Sequence, residues 1–378
     1  MRLMAIPGRS GEERAIVDFL TKTLRQAGAP ADAIKTDQAH RRTPLPGEVG
    51  NLVFKLPGTR RGRRRLLMAH LDTGPLCVGS RPVRRGSRIG SADPDTGLGA
   101  DDRAGVAVVL NTALTLLENG LSHPPMTFFW PVQEEVGLHG ARCARLGLLG
   151  RPKLAFNFDG GAADKLTVGA TGGYRMTIDV RGLASHAGGA PELGISAIAI
   201  AALAVADLQR NGWHGAIAKG RRRGTSNVGV IEGGAATNVV ADHVRLRVEA
   251  RSHDPSFRQR IVREIEAAFR RAVTEVTSVL RERGDVQFDG RLDYESFRLA
   301  DEEPCVVAAE AAVRAVGGDP LRFVSDGGLD ANWMTARGIP TVTLGCGQLF
   351  QHTTREQLDV PEFHRACRIA LCLATQED

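Results

Sequence analysis

Short apolar runs at residues 66–68, 126–132, 154–158 and 341–344 each lead directly into residues able to carry charge or bind a ligand. Runs of this length, bounded by turn residues, read as strands buried on both faces. Another strand pattern precedes them at 51–56, and helical periodicity covers residues 103–118, 138–148, 303–316 and 362–374. Alternation of this kind predicts an α/β fold, a mixed and mostly parallel sheet with helices on both faces.

Between residues 174 and 288 the order changes. Strand (174–181), helix (193–209), strand (226–231), strand (244–251), helix (257–281) and strand (286–288) make a βαββαβ series. That is the ferredoxin-like arrangement, two helices on one face of a small sheet. We therefore expect an inserted domain at 173–290 dividing a larger domain into 1–172 and 291–378, with the glycine-rich stretch 169–173 and Gly290 as crossings.

Composition removes several classes of function. A chain of 378 residues has room for two cores, and 42% hydrophobic with 24% charged residues argues against wholesale disorder. No apolar run reaches the ~18 residues of a membrane span, so no membrane partner is expected. The first residues lack the apolar core of a secretory signal. Six cysteines without Cys-x-x-Cys spacing point to reduced thiols and a cytoplasmic location, not to disulfides or a thiolate metal site. The net charge of +6 is concentrated in Arg60, Arg61, Arg63, Arg64 and Arg65 and in Arg221, Arg222 and Arg223. No stacking aromatics accompany these clusters, so they read as solvated loops and no nucleic-acid partner is expected.

Five motifs carry the chemistry. His70 lies just past a strand with Asp72 two positions on, where both side chains point the same way and Asp72 can orient a metal-bound imidazole. Asp101 and Asp102 open a helix, where adjacent carboxylates either cap it or bind a cation. Glu134 and Glu135 follow a strand and suit a division of labour between metal ligand and general base. Asp159 ends the next strand, and His352 sits in a polar loop after the last one. Each has a bland explanation alone. Together they describe one crevice at the carboxyl edge of a sheet, where α/β proteins build sites. Nitrogen and oxygen donors without thiolates suit zinc, with cobalt or manganese as the other ions such a set admits. Five ligands exceed the needs of one open tetrahedral ion and match a pair of ions sharing a carboxylate.

The motifs resemble those of the di-zinc peptidases that include peptidase T, aminoacylase, glutamate carboxypeptidase and succinyl-diaminopimelate desuccinylase, in order and spacing over nearly the whole chain. The runs at 169–173, 190–195 and 325–332 are most similar to peptidase T and its relatives. This resemblance implies a catalytic domain with a lid that also dimerises. It makes Asp101 the bridging carboxylate of two Zn2+ ions, His70 and Asp159 ligands of the first, and Glu135 and His352 ligands of the second. Glu134 becomes the general base and Asp72 the residue that orients His70. A cis peptide is expected between Asp101 and Asp102. In the insert, His186 matches a substrate-polarising histidine that reaches the partner subunit's site, while Asn238 and Arg251 match positions that bind the substrate carboxylate. Bottom-up, Arg251 offers a carboxylate the planar fork it needs, against the alternative of a surface ion pair.

The expected activity is hydrolysis of amide bonds in small peptides, as a peptidase T-like tripeptide aminopeptidase working as a homodimer. An N-acyl-amino-acid amidohydrolase or carboxypeptidase would use the same ions with a different pocket. A catalytically silent binding protein would have no need of Glu134. No Gly-x-Ser-x-Gly elbow supports a serine hydrolase. His123, His139, His214, His243 and His364 lie outside the motifs and are read as structural or surface residues.

Overall fold

A computed structural model describes residues 1–377. The chain forms two compact units, one made of Met1–Ala170 and the segment from Arg298 onward, the other of Thr171–Phe297. The return crossing thus lies at Phe297, not at Gly290. Gly290 sits inside the strand Asp285–Tyr294, opposite Met176, where an added Cβ would lie 2.4 Å from the Tyr174 hydroxyl.

The first unit is built on a mixed sheet. Its strands run in the order Ile34–Thr36, Leu52–Leu56, Met126–Trp130, Arg65–Met68, Leu154–Phe158, Thr341–Leu344 and Lys165–Ala170, with Leu321–Ser325 also paired to the last. The four central strands, from Met126–Trp130 to Thr341–Leu344, are mutually parallel. Every residue of these four strands is buried, which is why they appear in the sequence as predominantly apolar runs. Phe54, Phe128 and Trp130 stack in series with ring centroids 5.6 and 6.3 Å apart. Complete burial of each such ring contributes about 1.5–3 kcal/mol. The helix Ala100–Asn119 packs on this sheet, and Arg14–Gln26 and Val360–Thr375 pack on that helix. The short helices His139–Cys143 and Asp330–Ala336 join another core through Ala141 and Met334 against Met68 and Phe129. Helices therefore flank the sheet as expected.

The second unit has five strands in the order Gly215–Lys219, Arg222–Gly233, His243–Ser252, Gly172–Arg181 and Asp285–Tyr294, all antiparallel neighbours. Helices Ala197–Arg210 and Pro255–Glu275 share one core with this sheet through Ile200, Leu208, Phe257 and Phe269. Ser196 Oγ accepts from Ala199 N (3.1 Å) at the start of the first helix, and Asp254 Oδ1 from Ser256 N and Phe257 N at the second. The βαββαβ frame gains a hairpin strand, Gly215–Lys219, that turns at Gly220 with φ 65°.

That hairpin corrects the reading of one arginine cluster: Arg222 and Arg223 begin a strand instead of lying in a loop. The other cluster is corrected more strongly. Arg65 is fully buried and donates to the carbonyls of Leu373 (2.5 Å) and Gln376 (2.8 Å), and Arg60 donates to Thr375 O (3.1 Å). The two guanidiniums satisfy orphan carbonyls at the C-terminus of Val360–Thr375, where the helix dipole favours positive charge.

Candidate metal centre

Because the four central strands are parallel, their carboxyl ends emerge on one edge. Met68 leads to His70 and Asp72, Trp130 to Glu134 and Glu135, Phe158 to Asp159, and Leu344 through a glycine turn to His352. Asp101 arrives from the start of Ala100–Asn119. Its φ/ψ of −83°/105° is not helical, and the Asp101–Asp102 peptide is cis, as the resemblance implied. The two carboxylates then part. Asp102 Oδ1 accepts from Gly105 N (3.0 Å) as a helix cap and from Gln348 Nε2 (2.8 Å), and its Oδ2 accepts from His70 N (3.1 Å).

Asp101 holds the centre. His70 Nε2 stands 3.2 Å from Asp101 Oδ1, and His352 Nε2 stands 3.2 Å from Asp101 Oδ2 and 3.6 Å from Glu135 Oε2. Two groups of potential ligands result, His70 with Asp101 and Asp159, and Asp101 with Glu135 and His352, each with ligand atoms within 4.8 Å of one another. Bonds of ~2.05 Å about a tetrahedral ion separate neighbouring ligand atoms by roughly 3.3 Å. The nitrogen-to-oxygen distances agree with that edge, so the donor set fits two ions with Asp101 between them.

Polar contacts around these side chains fix their aim. His70 Nδ1 faces Asp72, with the main-chain oxygen at 3.0 Å closer than Oδ1 at 3.5 Å, so the carbonyl makes the orienting contact. The Asp72 carboxylate instead accepts from Glu134 N (2.9 Å), Glu135 N (3.1 Å) and Ser10 Oγ (2.6 Å). Glu356 accepts from Gly99 N (2.6 Å) and Asp101 N (2.9 Å), fixing the segment that delivers the central carboxylate. Gln348 Oε1 accepts from Gly160 N (2.9 Å) behind Asp159. The motif reading missed Ser10, Gln348 and Glu356 as partners, because each acts across the fold on a residue far away in the chain.

The carboxylates crowd one another. Burial pushes Glu135 up to about 7, with Asp101 adding to it, and pushes Asp159 up to about 6, again with Asp101 adding. Glu134 is driven well above the usual carboxylate range by burial, with His70 opposing and Asp330, Asp159 and Glu135 adding. His352 is raised to about 9, chiefly by its hydrogen bond to Asp101. Asp101 is held low because its two histidines outweigh its burial. The sequence run 325–332 supplies Asp330, which is buried, has neither carboxylate oxygen hydrogen-bonded, and is raised to about 8 by desolvation. A cavity of about 440 Å³ opens beside the centre, lined by Asp101, Asp159 and His352 and by Thr167, Lys165 and Phe323.

In the second unit, His186 is exposed. Its Nδ1 accepts from Gly188 N (3.1 Å) and Gly189 N (2.9 Å), which places the proton on Nε2. Asn238 is beside it, its carbonyl accepting from Ala187 N (3.0 Å). Arg251 is not brought to them, and its fork is not open. Its Nε and Nη2 bind both oxygens of Glu249 at 3.0 and 2.9 Å, an ion pair two residues apart on the same strand. His123, His139, His214, His243 and His364 are absent from both groups of potential ligands.

Comparison with known proteins agrees with this architecture. The family model for the peptidase dimerisation domain of the M20 type matches residues 168–277. The model of peptidase family M28 matches residues 51–175, the stretch containing His70, Asp101, Glu134, Glu135 and Asp159. The structure is similar to a tripeptidase from Staphylococcus aureus, at 30% identity and a TM-score of 0.87 over 99% of this chain and 95% of that one. It is also similar to the aminopeptidase PepT from Bacillus cereus, at 31% identity and a TM-score of 0.84 over 99% of this chain and 96% of that one. In sequence it is 31% identical to YqjE of Bacillus subtilis, over 86% of this chain and 84% of that protein. With its centre on the carboxyl edge and its inserted dimerisation domain, the chain belongs to the M20 metallopeptidase family, as a peptidase T-like peptide hydrolase.

Proposed function

We propose that this peptidase removes residues from the amino end of tripeptides, using two zinc ions held by His70, Asp101 and Asp159 and by Asp101, Glu135 and His352. The observation that carries the reading is the pair of histidine nitrogens on opposite oxygens of Asp101, supported by the likeness to a tripeptidase and a PepT aminopeptidase. Zinc bound there would polarise the scissile carbonyl and acidify water at neutral pH.

The protein's own groups do the rest. Glu134 takes the proton of the attacking water and returns it to the departing amine. The Nε2 proton of His186 suits donation to the carbonyl oxygen as charge develops on it. Asn238 and Arg251 fix the substrate carboxylate, Arg251 by exchanging Glu249 for it.

His186 and Asn238 lie beyond the His243 end of the strand His243–Ser252, whereas Arg251 lies at its other end. Eight residues of strand span roughly 26 Å, and an extended tripeptide spans only about 10 Å. One lid therefore cannot serve one short substrate with both ends, and a homodimer that lends His186 and Asn238 to its partner's site resolves the difficulty. Two features support such a dimer. Helix Ala197–Arg210 exposes Ile198 and Leu203, and the strand Arg222–Gly233, paired with Gly215–Lys219 only as far as Ser226, exposes Ile231 nearby. Ile198 Cδ1 would lie 3.4 Å from a Cβ at Gly234, so strand and helix make one apolar patch. The cysteines are all free, in keeping with a cytoplasmic location, and among the described residues no helix is long and apolar enough to cross a membrane.

The test is turnover of alanine- and glycine-based tripeptides, with free and blocked amino ends, before and after chelation, alongside metal analysis. Zinc-dependent cleavage of the free-amine substrates is expected. Activity that survives complete metal removal, or cleavage indifferent to a blocked amino end, would overturn the reading.

A further inference from the structure

The turn that presents Glu134 and Glu135 is gripped through three consecutive main-chain N–H groups. Gln133 N donates to Glu13 Oε1 (3.1 Å), Glu134 N to Asp72 Oδ1 (2.9 Å) and Glu135 N to Asp72 Oδ2 (3.1 Å). Gln133 has φ 55°. A left-handed residue in such a turn makes successive N–H groups converge on an anion. Here two carboxylates from distant parts of the chain fill that concavity, and both side chains are fully buried.

Both carboxylates are tied to one N-terminal segment. Glu13 Oε1 accepts a second hydrogen bond from Gly11 N (2.9 Å), and Ser10 Oγ donates to Asp72 Oδ2 (2.6 Å). The segment is itself anchored beside the His70 strand end. Thr73 N donates to Gly8 O (3.1 Å), and Arg9 bridges Thr73 in parallel. Gly8 is pressed against the buried Arg103, since a Cβ there would lie 2.5 Å from Nη2. A carboxylate is an expensive way to satisfy one turn, and Glu13 Oε2 has no hydrogen-bond partner. Its Oε1 is directed at the N–H immediately before the two glutamates.

We propose that Ser10 and Glu13 are positioning residues for the reaction: they lock the 133–135 turn so that Glu134 points at the substrate and Glu135 at the second ion. This rests on the assignment of Glu134 as base and Glu135 as ligand. A misplacement of about 1 Å at a reacting group costs on the order of 100-fold in rate, and without the Glu13 acceptor Gln133 is free to relax from its left-handed conformation.

The experiment compares Glu13→Ala, Glu13→Gln and Ser10→Ala in the full chain. It measures kcat and KM on a tripeptide, and calorimetric titration of Zn2+ into chelator-treated protein. Glu13→Ala is expected to lower kcat roughly 10- to 100-fold with KM little changed, and to weaken the zinc event that depends on Glu135 while sparing the other. Glu13→Gln keeps an acceptor oxygen for Gln133 N and is expected to recover most of kcat. Ser10→Ala is expected to act in the same direction with a smaller effect. A purely structural role would lower the melting temperature and leave kcat per folded molecule and both zinc events unchanged, and that result overturns the proposal. If Glu13→Ala does not fold, Ser10→Ala with wild-type kcat and wild-type zinc binding overturns it instead. Full activity in Glu134→Ala would remove the base assignment itself. An inactive Glu134→Ala beside an unaltered Glu13→Ala removes only the positioning role.

Discussion

The Arg251–Glu249 pair makes the substrate-carboxylate assignment measurable. Arg251 binds both oxygens of Glu249, and the two side chains are 30% and 32% exposed. A pair this accessible to solvent is worth about 0–1 kcal/mol, whereas a substrate carboxylate taken up by the same fork gains ~1.5–3 kcal/mol from charge-assisted hydrogen bonds. On the proposed assignment exchange favours the substrate, and Glu249 would act as a weak internal competitor. Removing the competitor in Glu249→Ala should lower KM by at most about fivefold, the equivalent of 1 kcal/mol, with kcat unchanged. Removing the fork in Arg251→Ala should raise KM roughly 10- to 150-fold. Steady-state kinetics on a tripeptide and its C-terminal amide separate the two effects, because the amide lacks the charge and should respond to neither variant. A rise in KM for Glu249→Ala, or equal losses on acid and amide in Arg251→Ala, would show that the pair is structural and that the carboxylate is held elsewhere.

Three other expectations follow from the same geometry. Glu134→Gln should lower kcat by about 10²- to 10⁴-fold while zinc content by elemental analysis stays at wild-type level, and a loss of zinc would mean that Glu134 is a ligand. Mixing inactive Glu134→Ala with inactive His186→Ala subunits should restore roughly a quarter of wild-type activity, since random exchange leaves half the dimers with one complete site; no recovery after confirmed exchange would place His186 in its own subunit's site. The metal-free protein should lose stability as pH rises from about 5 to 9. The folded-state values of Glu135 (about 7) and Asp159 (about 6) are raised, so the native form binds more protons than the unfolded chain across their range, and the stabilisation from His352 disappears near 9. Melting curves with chelator at pH 5.5 and 8 test this, and a higher melting temperature at pH 8 would contradict it.

What the sequence disclosed follows from how each element is buried. The central strands announced themselves because residues such as Leu67, Phe128 and Phe156 are covered on both faces, and their ends therefore located the ligands. The outlying strands did not. Pro82–Arg85 has no buried residue and ends in two arginines, and Gly215–Lys219 is five residues at a sheet edge with only Ile217 buried. The helix read at 138–148 breaks after Cys143, where Arg145 N leaves the helical path to donate to Asp37 Oδ2 (3.1 Å). Arg65 looked like part of a solvated cluster because its partners, the carbonyls closing the last helix, lie more than 300 residues away. Arg251 could be placed at a strand end, but its pairing with Glu249 is a choice between two carboxylates that only the fold resolves.

The centre is also an electrostatic problem that the fold leaves unsolved by itself. Asp72, Asp101, Glu134, Glu135, Asp159 and Asp330 converge on two histidines, and Arg103, fully buried nearby, faces Asp72, Glu13 and Asp102. Even this cation is lowered to about 10 by desolvation, which shows how little water is available to share the charge. Glu134, Glu135, Asp159 and Asp330 respond by holding protons, whereas Asp101, fixed between His70 and His352, and Asp72, held by His70, Ser10 and the Glu134 N–H against its burial, stay low. Binding of two divalent cations must displace those protons, so affinity should rise with pH while the metal-free fold weakens. The same crowding that destabilises the empty centre is then what makes it bind metal tightly, and it explains why rigid anchors such as Asp72, Glu13 and Glu356 are needed to keep mutually repelling carboxylates in place.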